Sequence, residues 1–205
     1  AFRSTQDPRC TPRCQWPTER NLPDVTLISA LLDANGVCHG YVANRAHHAE
    51  IGGTRPGSMP ADARCLEEEG VIIDPQWLIR DGVSKFDVVE KQLREAVHPS
   101  RSSRENLIDL EAQVASLRRG SELFHELAGR HGVHTVTGYM EDLLQSASEL
   151  VGGLVEGGAF PVGRVRQELD DGTVIEVACR PVERGLIFDF SGSSPVHDGN
   201  LNATP

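Results

Sequence analysis

Two long segments with helical periodicity stand in the middle of the chain, between two blocks of strand-like sequence. The first should run from about Glu105 to His131 and the second from about Thr135 to Val155, because apolar residues recur in each at intervals of three and four. Only a few residues around Gly132 join the two segments, which predicts an antiparallel helix pair. Strands followed by helices and then by strands, without a regular strand–helix alternation, predict an α+β fold.

The strand block before the helices begins with a hairpin pattern. Residues 25–32 are apolar and partly β-branched, residues 33–36 form an Asp-Ala-Asn-Gly turn, and residues 37–44 resume an extended pattern. The preceding residues 1–23 contain several prolines and arginines without apolar periodicity, so we expect an irregular arm there. A single ordered domain is then predicted over residues 24–205.

Shorter elements complete the prediction. Two short strands are expected at residues 71–73 and 77–79, and a helix should begin at Ser84. The second long helix carries apolar residues that we expect to face inward, namely Val136, Tyr139, Leu143, Ala147, Leu150 and Leu154. After it, three patterns predict antiparallel strands at residues 162–169, 173–180 and 186–190.

Composition excludes several classes of function. The formal net charge is -10 and the 20 lysines and arginines are dispersed, so no basic field is available for a nucleic-acid backbone. No apolar run approaches the roughly 20 residues that span a bilayer, and the N-terminus lacks the apolar core of a signal peptide. Five cysteines, an odd and sparse set, agree with a reducing compartment. We therefore expect a cytoplasmic protein without membrane or nucleic-acid partners.

Residues 44–60 combine two imidazoles, one carboxylate and several glycines in a predicted loop, which indicates a built site. His47, His48 and Glu50 are the candidate catalytic residues. Neighbouring residues on a strand point to opposite faces, so one histidine is expected to be a ligand or acid–base group and the other to orient it. The alternative is that both are hydrogen-bonded loop histidines. Glu50 could bind a metal or accept an imidazole N–H, or be a solvated loop carboxylate.

Glycines in the same loop suggest a binding role. Gly52, Gly53 and Ser58 are the candidate substrate-binding residues, because backbone N–H groups of a glycine-rich segment can face an anionic intermediate. A tight structural turn is the alternative reading of the glycines. The sequence contains neither a P-loop nor a GxGxxG motif, so this chain is not expected to bind ATP itself.

Several short blocks of the sequence match one known family in the same order. They are Leu22-Pro23-Asp24-Val25-Thr26, residues 44–60, Glu68-Glu69-Gly70, residues 109–115, His131-Gly132 with Tyr139-Met140, residues 189–193 and residues 199–203. In these blocks the chain resembles the hydantoinase B/5-oxoprolinase family. The relatives are considerably longer, so we expect the chain to be part of such a protein.

The resemblance implies an ATP-dependent system of two parts. A hydantoinase A-like partner with an actin-like ATPase fold uses the ATP and phosphorylates the carbonyl oxygen of a cyclic amide such as a hydantoin or 5-oxoproline. The B-type part, to which this chain is similar, then takes the activated intermediate to ring opening by water. Two alternatives stay open, an ATP-dependent ketone carboxylase subunit similar to that of acetone carboxylase, and a non-catalytic remnant of such a complex.

The resemblance also implies a divalent metal. In metal-containing relatives the histidine and aspartate of a Thr-His-x-Pro-Asp motif join a later histidine as ligands, which here gives Asp24 and His48 as candidate ligands of zinc or manganese. Such a metal could polarise a carbonyl group or lower the pKa of a bound water molecule. This sequence departs from the motif, since Asn21 stands where the family has its histidine.

Overall fold

A computed structural model of the chain describes residues 22–57, 60, 62–183 and 185–197. These residues form two compact units, and the division falls between Arg130 and His131. We call residues 22–130 the N-terminal unit and residues 131–197 the C-terminal unit. Each contains helix and antiparallel strand, which confirms the predicted α+β fold. Residues 1–21, most of the predicted arm, lie outside the described residues.

The predicted hairpin is present in the N-terminal unit. Strands β1 (Asp24–Leu32) and β2 (Cys38–His47) pair antiparallel. Asp33 shapes the turn between them, since its Oδ1 atom accepts hydrogen bonds from the N–H groups of Asn35 at 2.8 Å and Val37 at 2.9 Å. A turn that is closed by its own side chain depends on local sequence alone. This is why the hairpin could be predicted.

Four short elements follow the hairpin. They are α1 (Leu66–Glu69), β3 (Ile79–Arg80), β4 (Val83–Ser84) and α2 (Phe86–Glu95). The strand predicted at residues 71–73 is wrong. These residues are irregular in the structure. A short apolar run can be a strand or an irregular core segment, and periodicity does not distinguish the two.

The hydrophobic core of the N-terminal unit draws residues from many segments of the chain. Its buried members are Leu22, Ile51, Val71, Val89, Leu93 and Leu110. Val71 is fixed there because its N–H donates to the carbonyl oxygen of Ile51 at 2.8 Å. Leu93 on α2 has no exposed surface at all. Full burial of a leucine side chain contributes about 1.5–3 kcal/mol, so this position anchors α2.

The long helix α3 (Ser103–His131) is tied to the hairpin by a reciprocal amide pair. The Nδ2 atom of Asn44 donates to the main-chain oxygen of Gln113 at 2.8 Å. In return, the Nε2 atom of Gln113 donates to the Asn44 Oδ1 atom at 3.1 Å and to the Val25 carbonyl oxygen at 2.9 Å. These bonds fix β1 and β2 against α3, so the end of the hairpin lies at a defined place beside the helix.

The second long helix, α4 (Val133–Glu156), belongs to the C-terminal unit and exposes its apolar stripe. Tyr139, Leu143, Leu150 and Leu154 were expected to face inward, yet each is more than half exposed. That expectation is wrong for the part of the chain described, because periodicity shows which side chains share a helix face and not what covers the face. The antiparallel pairing of α3 and α4 stays a prediction.

The C-terminal unit also contains the predicted antiparallel strands. They are β5 (Gly163–Glu168), β6 (Val174–Val182) and β7 (Gly185–Asp189), and they form one sheet in the order β5-β6-β7. None of the described residues of this unit is buried. None of the helices in the described ranges is both long enough and apolar enough to cross a membrane.

Candidate functional site

Asp24 and His47 form a carboxylate–imidazole pair at the open end of the hairpin. The first residue of β1 lies opposite the last residue of β2 in the strand register, which brings the two side chains to the same place. The Asp24 Oδ1 atom lies 2.8 Å from the His47 Nδ1 atom. About half of the His47 side chain (48%) is exposed, against 23% for Asp24. The pair can therefore reach a ligand from solvent.

His48 points the other way and is buried, at 1% exposure. The strand ends at His47, and the His48 N–H donates to the carbonyl oxygen of Pro23 at 2.8 Å. Its Nδ1 atom lies 3.3 Å from the Oδ1 atom of Asn106 on α3, and 4.0 Å from the Oδ2 atom of Asp109. The Nε2 atom is buried and has no hydrogen-bond partner among the described residues. The two neighbouring histidines thus have opposite environments.

Glu50 is a buried carboxylate whose two oxygen atoms are fully used. The Oε1 atom accepts hydrogen bonds from the Gly52 N–H at 2.8 Å and the Arg101 Nη1 at 3.0 Å. The Oε2 atom accepts them from the Ser100 hydroxyl at 2.8 Å and the Arg101 N–H at 3.0 Å. Burial alone would raise the pKa of Glu50, but the hydrogen bonds from Ser100, Gly52 and Arg101 outweigh it and hold that pKa below its ordinary value.

This geometry gives Glu50 the position of a loop anchor. An ionised carboxylate that already accepts four hydrogen bonds has little capacity left for a proton or a metal. It instead ties the loop after β2 to the segment that precedes α3. The catalytic role of Glu50 stays a prediction, and these four hydrogen bonds do not support it.

The two adjacent glycines shape the loop by close backbone packing. Gly52 and Gly53 have φ angles of 91° and 93°, a region that side chains strain. A Cβ atom on Gly52 would collide with the carbonyl oxygen of His98, and one on Gly53 would come within 2.5 Å of the carbonyl oxygen of Glu69. No residue other than glycine fits at either position without a shift of the neighbouring backbone.

The N–H groups of both glycines are already engaged. The Gly52 N–H donates to Glu50, and the Gly53 N–H donates to the carbonyl oxygen of His98 at 3.1 Å. Their predicted role in substrate binding stays a prediction and does not rest on these N–H groups. Ser58, the third predicted substrate-binding residue, lies outside the described residues.

The structure places the predicted ligand Asp24 beside the predicted catalytic residue His47. Asp24 contacts His47, whereas His48 is buried against α3. Aspartate and histidine are suitable donors for zinc or manganese, so this pair fits as part of a ligand set. Within the described ranges there is no group of three or more His, Cys, Asp or Glu side chains that could hold a metal by itself. The pairing of Asp24 with His48 as ligands stays a prediction.

Ser100, Arg101 and Asn106 are contact residues of the site that sequence reasoning missed. Ser100 and Arg101 bind Glu50, and Asn106 contacts His48. They are separated from their partners by 50 residues or more along the chain. No local pattern connects positions so far apart, since the contacts exist only because α3 packs beside the loop. A polar cluster just before and within the first turn of α3 was the only available signal.

The sequence matches the profile of the hydantoinase B/oxoprolinase family over residues 13–205. The chain belongs to this family. Among its relatives is a 5-oxoprolinase of Saccharomyces cerevisiae, which is 35% identical over 195 residues. That alignment covers 89% of this chain and 15% of the yeast protein, so the chain spans a small part of its relative's length.

Two solved structures share the fold. An ATP-dependent caprolactamase from Pseudomonas jessenii superposes with a TM-score of 0.63 at 20% sequence identity, over 83% of this chain and 30% of that one. A nucleotide-free acetone carboxylase superposes with a TM-score of 0.73 at 17% identity, over 88% of this chain and 26% of that one. At this level of identity the likeness establishes the fold and leaves the reaction open.

Proposed function

We propose that this chain is part of the B-type component of an ATP-dependent cyclic-amide hydrolase, which opens the ring of a substrate such as 5-oxoproline. The observation that carries the proposal is the Asp24–His47 pair, whose histidine is half-exposed at the end of a fixed hairpin in a member of the hydantoinase B/oxoprolinase family. The yeast relative's name, 5-oxoprolinase, supports the substrate class. An ATPase partner similar to hydantoinase A supplies the activation step.

In the proposed reaction His47 is the base. A carboxylate at the Nδ1 atom orients the imidazole and stabilises its protonated form, which leaves the Nε2 atom to accept a proton from water. The deprotonated water oxygen bonds to the carbonyl carbon of the activated ring. The bond from that carbon to the ring nitrogen breaks, and the nitrogen receives the proton that His47 took from water. The carbon then carries an acyl phosphate, and a second water molecule hydrolyses it to the free carboxylate and inorganic phosphate. Asp24 holds its charge throughout and does not take the proton itself.

As an alternative to the base role of His47, the same two side chains could hold a divalent metal together with further ligands, because an imidazole nitrogen that binds a metal cannot accept a proton. The pair supplies an imidazole nitrogen and a carboxylate oxygen, the donor chemistry that zinc and manganese accept. When bound, such a metal supplies Lewis-acid polarisation of the carbonyl group. Elemental analysis of the purified chain tests this part of the proposal. Metal present in the unaltered chain and lost in Asp24→Ala and His47→Ala is expected, whereas metal retained in both variants contradicts it.

Turnover with a hydantoinase A-like partner tests the reaction. The assay follows ATP-dependent release of the ring-opened product from 5-oxoproline by the complex that contains His47→Ala. His39→Ala is the matched control, because His39 lies on the same strand and also contacts an aspartate, Asp33, with 3.2 Å between its Nε2 atom and the Asp33 Oδ2 atom. Loss of a general base reduces the rate by about 10²- to 10⁴-fold, which is expected for His47→Ala only.

When a ketone with bicarbonate is assayed beside 5-oxoproline, two outcomes contradict the proposed reaction class, and a third contradicts the role of His47 alone. Product that forms only with bicarbonate and a ketone identifies the carboxylation alternative. No turnover in the unaltered complex with either kind of substrate identifies a non-catalytic member of the family. Equal rates for His47→Ala and His39→Ala exclude His47 as the base while leaving the hydrolase class in place.

A further inference from the structure

A chain of hydrogen bonds connects the buried side chains of Glu50 and His48 through two uncharged residues, the partly buried Ser100 and the buried Asn106. It begins at the Glu50 carboxylate, which can only accept hydrogen bonds when ionised. Ser100 has a single hydroxyl proton and lies 2.8 Å from the Glu50 Oε2 atom, so that proton is committed to Glu50. The direction of every later bond in the chain follows from this first one.

The Ser100 oxygen must accept every other hydrogen bond it makes. It receives one from the Ser102 N–H at 3.1 Å and one from the Asn106 side chain at 3.0 Å. Because Ser100 has no second proton, the Asn106 group that faces it must be the NH2 and not the carbonyl oxygen. The orientation of the Asn106 amide is thereby fixed. Its Oδ1 atom faces His48.

The fixed amide determines which nitrogen of His48 carries the proton. The Asn106 Oδ1 atom is an acceptor and lies 3.3 Å from the His48 Nδ1 atom, so Nδ1 must be the donor. A second proton on Nε2 would leave an unpartnered N–H in the interior, since His48 is 1% exposed and Nε2 has no partner among the described residues. Burial of an unpaired donor is costly. The neutral Nδ1–H tautomer gives every polar hydrogen in the chain an acceptor and leaves only the Nε2 lone pair without a partner among the described residues.

We propose that Asn106 is a positioning residue that holds His48 in the Nδ1–H tautomer and presents Nε2 as a buried hydrogen-bond acceptor. The lone pair on Nε2 then takes an O–H or N–H donor, such as a water molecule, and does not take an anion or a carbonyl oxygen. Use of this acceptor in ring opening rests on the proposed function. The tautomer itself does not, because it is a property of the folded chain without substrate.

Nitrogen NMR of the histidine rings tests the proposal directly. The 205-residue chain is labelled with ¹⁵N at its histidines, and the His48 signals are assigned from their loss in His48→Gln. The expected spectrum has His48 Nδ1 in the range of a protonated ring nitrogen and His48 Nε2 in the range of an unprotonated one. The opposite pattern, or two protonated nitrogens, overturns the proposal.

Two variants separate positioning from simple burial. Asn106→Leu keeps the volume but removes the acceptor, and Ser100→Ala removes the oxygen that fixes the amide orientation while leaving Asn106 in place. In both we expect the pure Nδ1–H signal to be lost and a mixture of tautomers to appear. If Asn106→Leu does not fold, Ser100→Ala decides alone. A pure Nδ1–H tautomer retained in Ser100→Ala overturns the role given to Asn106.

A control and a kinetic arm complete the design. Ser29→Ala removes another buried hydroxyl of the N-terminal unit that has no part in this chain of bonds, so the His48 signals should not change. The Ser100→Ala complex should also turn over more slowly than the Ser29→Ala complex. A changed tautomer with unchanged turnover leaves the positioning in place and excludes its use in catalysis. If the unaltered complex is inactive, the proposed function is contradicted. The NMR result on the His48 tautomer remains valid in that case.

Discussion

The N-terminal and C-terminal units contain similar elements but differ in what holds them together. The N-terminal unit buries apolar residues from the hairpin, the loop, α2 and α3, and it buries a polar chain beside them. The described part of the C-terminal unit buries no residue, although α4 and β5 to β7 carry many apolar side chains. Regular secondary structure is therefore no evidence of a core in this protein.

The difference explains why the candidate site lies in the N-terminal unit. A catalytic group must be held in place by packed neighbours, because loosely held side chains lose the geometry that a reaction needs. The loop that follows His47 has such neighbours on α3 and in the segment before it, through the contacts of His48 and Glu50. In the C-terminal unit, strands and helix have their backbone hydrogen bonds but lack a buried environment of their own in the described residues.

The largest contrast between the units is expected from loss of an apolar side chain. Leu93→Ala in the core of the N-terminal unit should lower the free energy of unfolding by about 2–5 kcal/mol, because it leaves a cavity. Leu143→Ala on α4, where the leucine is 69% exposed, should change it by less than about 0.5 kcal/mol. Denaturant unfolding of both variants measures the two values. Equal losses would mean that α4 buries its stripe in solution.

Glycine substitutions give the next largest contrast. Gly53 has a φ angle of 93°, and a Cβ atom added there would collide with the backbone of Glu69. For Gly53→Ala we therefore expect a loss of about 3 kcal/mol in the free energy of unfolding. Gly158 has a φ angle of 69°, and a Cβ atom added there would meet open space. For Gly158→Ala we therefore expect a loss of only about 1 kcal/mol in the free energy of unfolding, from backbone strain. Thermal unfolding of the pair measures the difference. A milder effect at Gly53 than at Gly158 would show that the loop can move away from Glu69.

Removal of the buried charge should give a smaller loss that depends on pH. Glu50→Gln weakens hydrogen bonds to a charged acceptor and should cost about 1.5–3 kcal/mol near neutral pH. The exposed Glu149→Gln on α4 is the control and should have little effect, since its hydrogen bond to Gln145 lies at the surface. Unfolding curves recorded over a range of pH measure both.

The sign of the pH dependence follows from the lowered pKa of Glu50. A carboxyl group whose pKa is lower in the folded state stabilises the protein above its unfolded pKa, and this contribution is lost as the pH falls through the folded pKa. The unaltered chain should therefore lose stability as the pH falls below 4.5, the ordinary pKa of a glutamate, and Glu50→Gln should lose less over the same range. A parallel loss in both proteins would assign the acid sensitivity to other carboxyl groups.

Much of the fold could be predicted from the sequence because its signals are local. The hairpin follows from the Asp33 turn and the long helices follow from their apolar spacing, and both were found within a few residues of their predicted ends. The family could also be predicted, because its short blocks occur in order. The exposure of α4 could not be predicted, since the same apolar spacing describes a covered face and an open one.

The candidate site could be predicted in its residues but not in its contacts. The sequence indicated Asp24, His47, His48 and Glu50, yet it did not show that Asp24 contacts His47 or that Glu50 is saturated by Ser100 and Arg101. These pairings depend on the strand register and on the packing of α3 against the loop. Such long-range contacts have no counterpart in local periodicity.

The most direct measurement of the central claim is the kcat for ATP-dependent ring opening of 5-oxoproline by the complex that carries Asp24→Asn. This substitution keeps the size of the side chain and removes the charge that faces His47, while Asp33→Asn does the same beside His39 and is the matched control. If the Asp24–His47 pair performs the proton transfer, kcat falls by about 10²-fold or more for Asp24→Asn and stays unchanged for Asp33→Asn. Equal kcat values for the two variants would contradict the account.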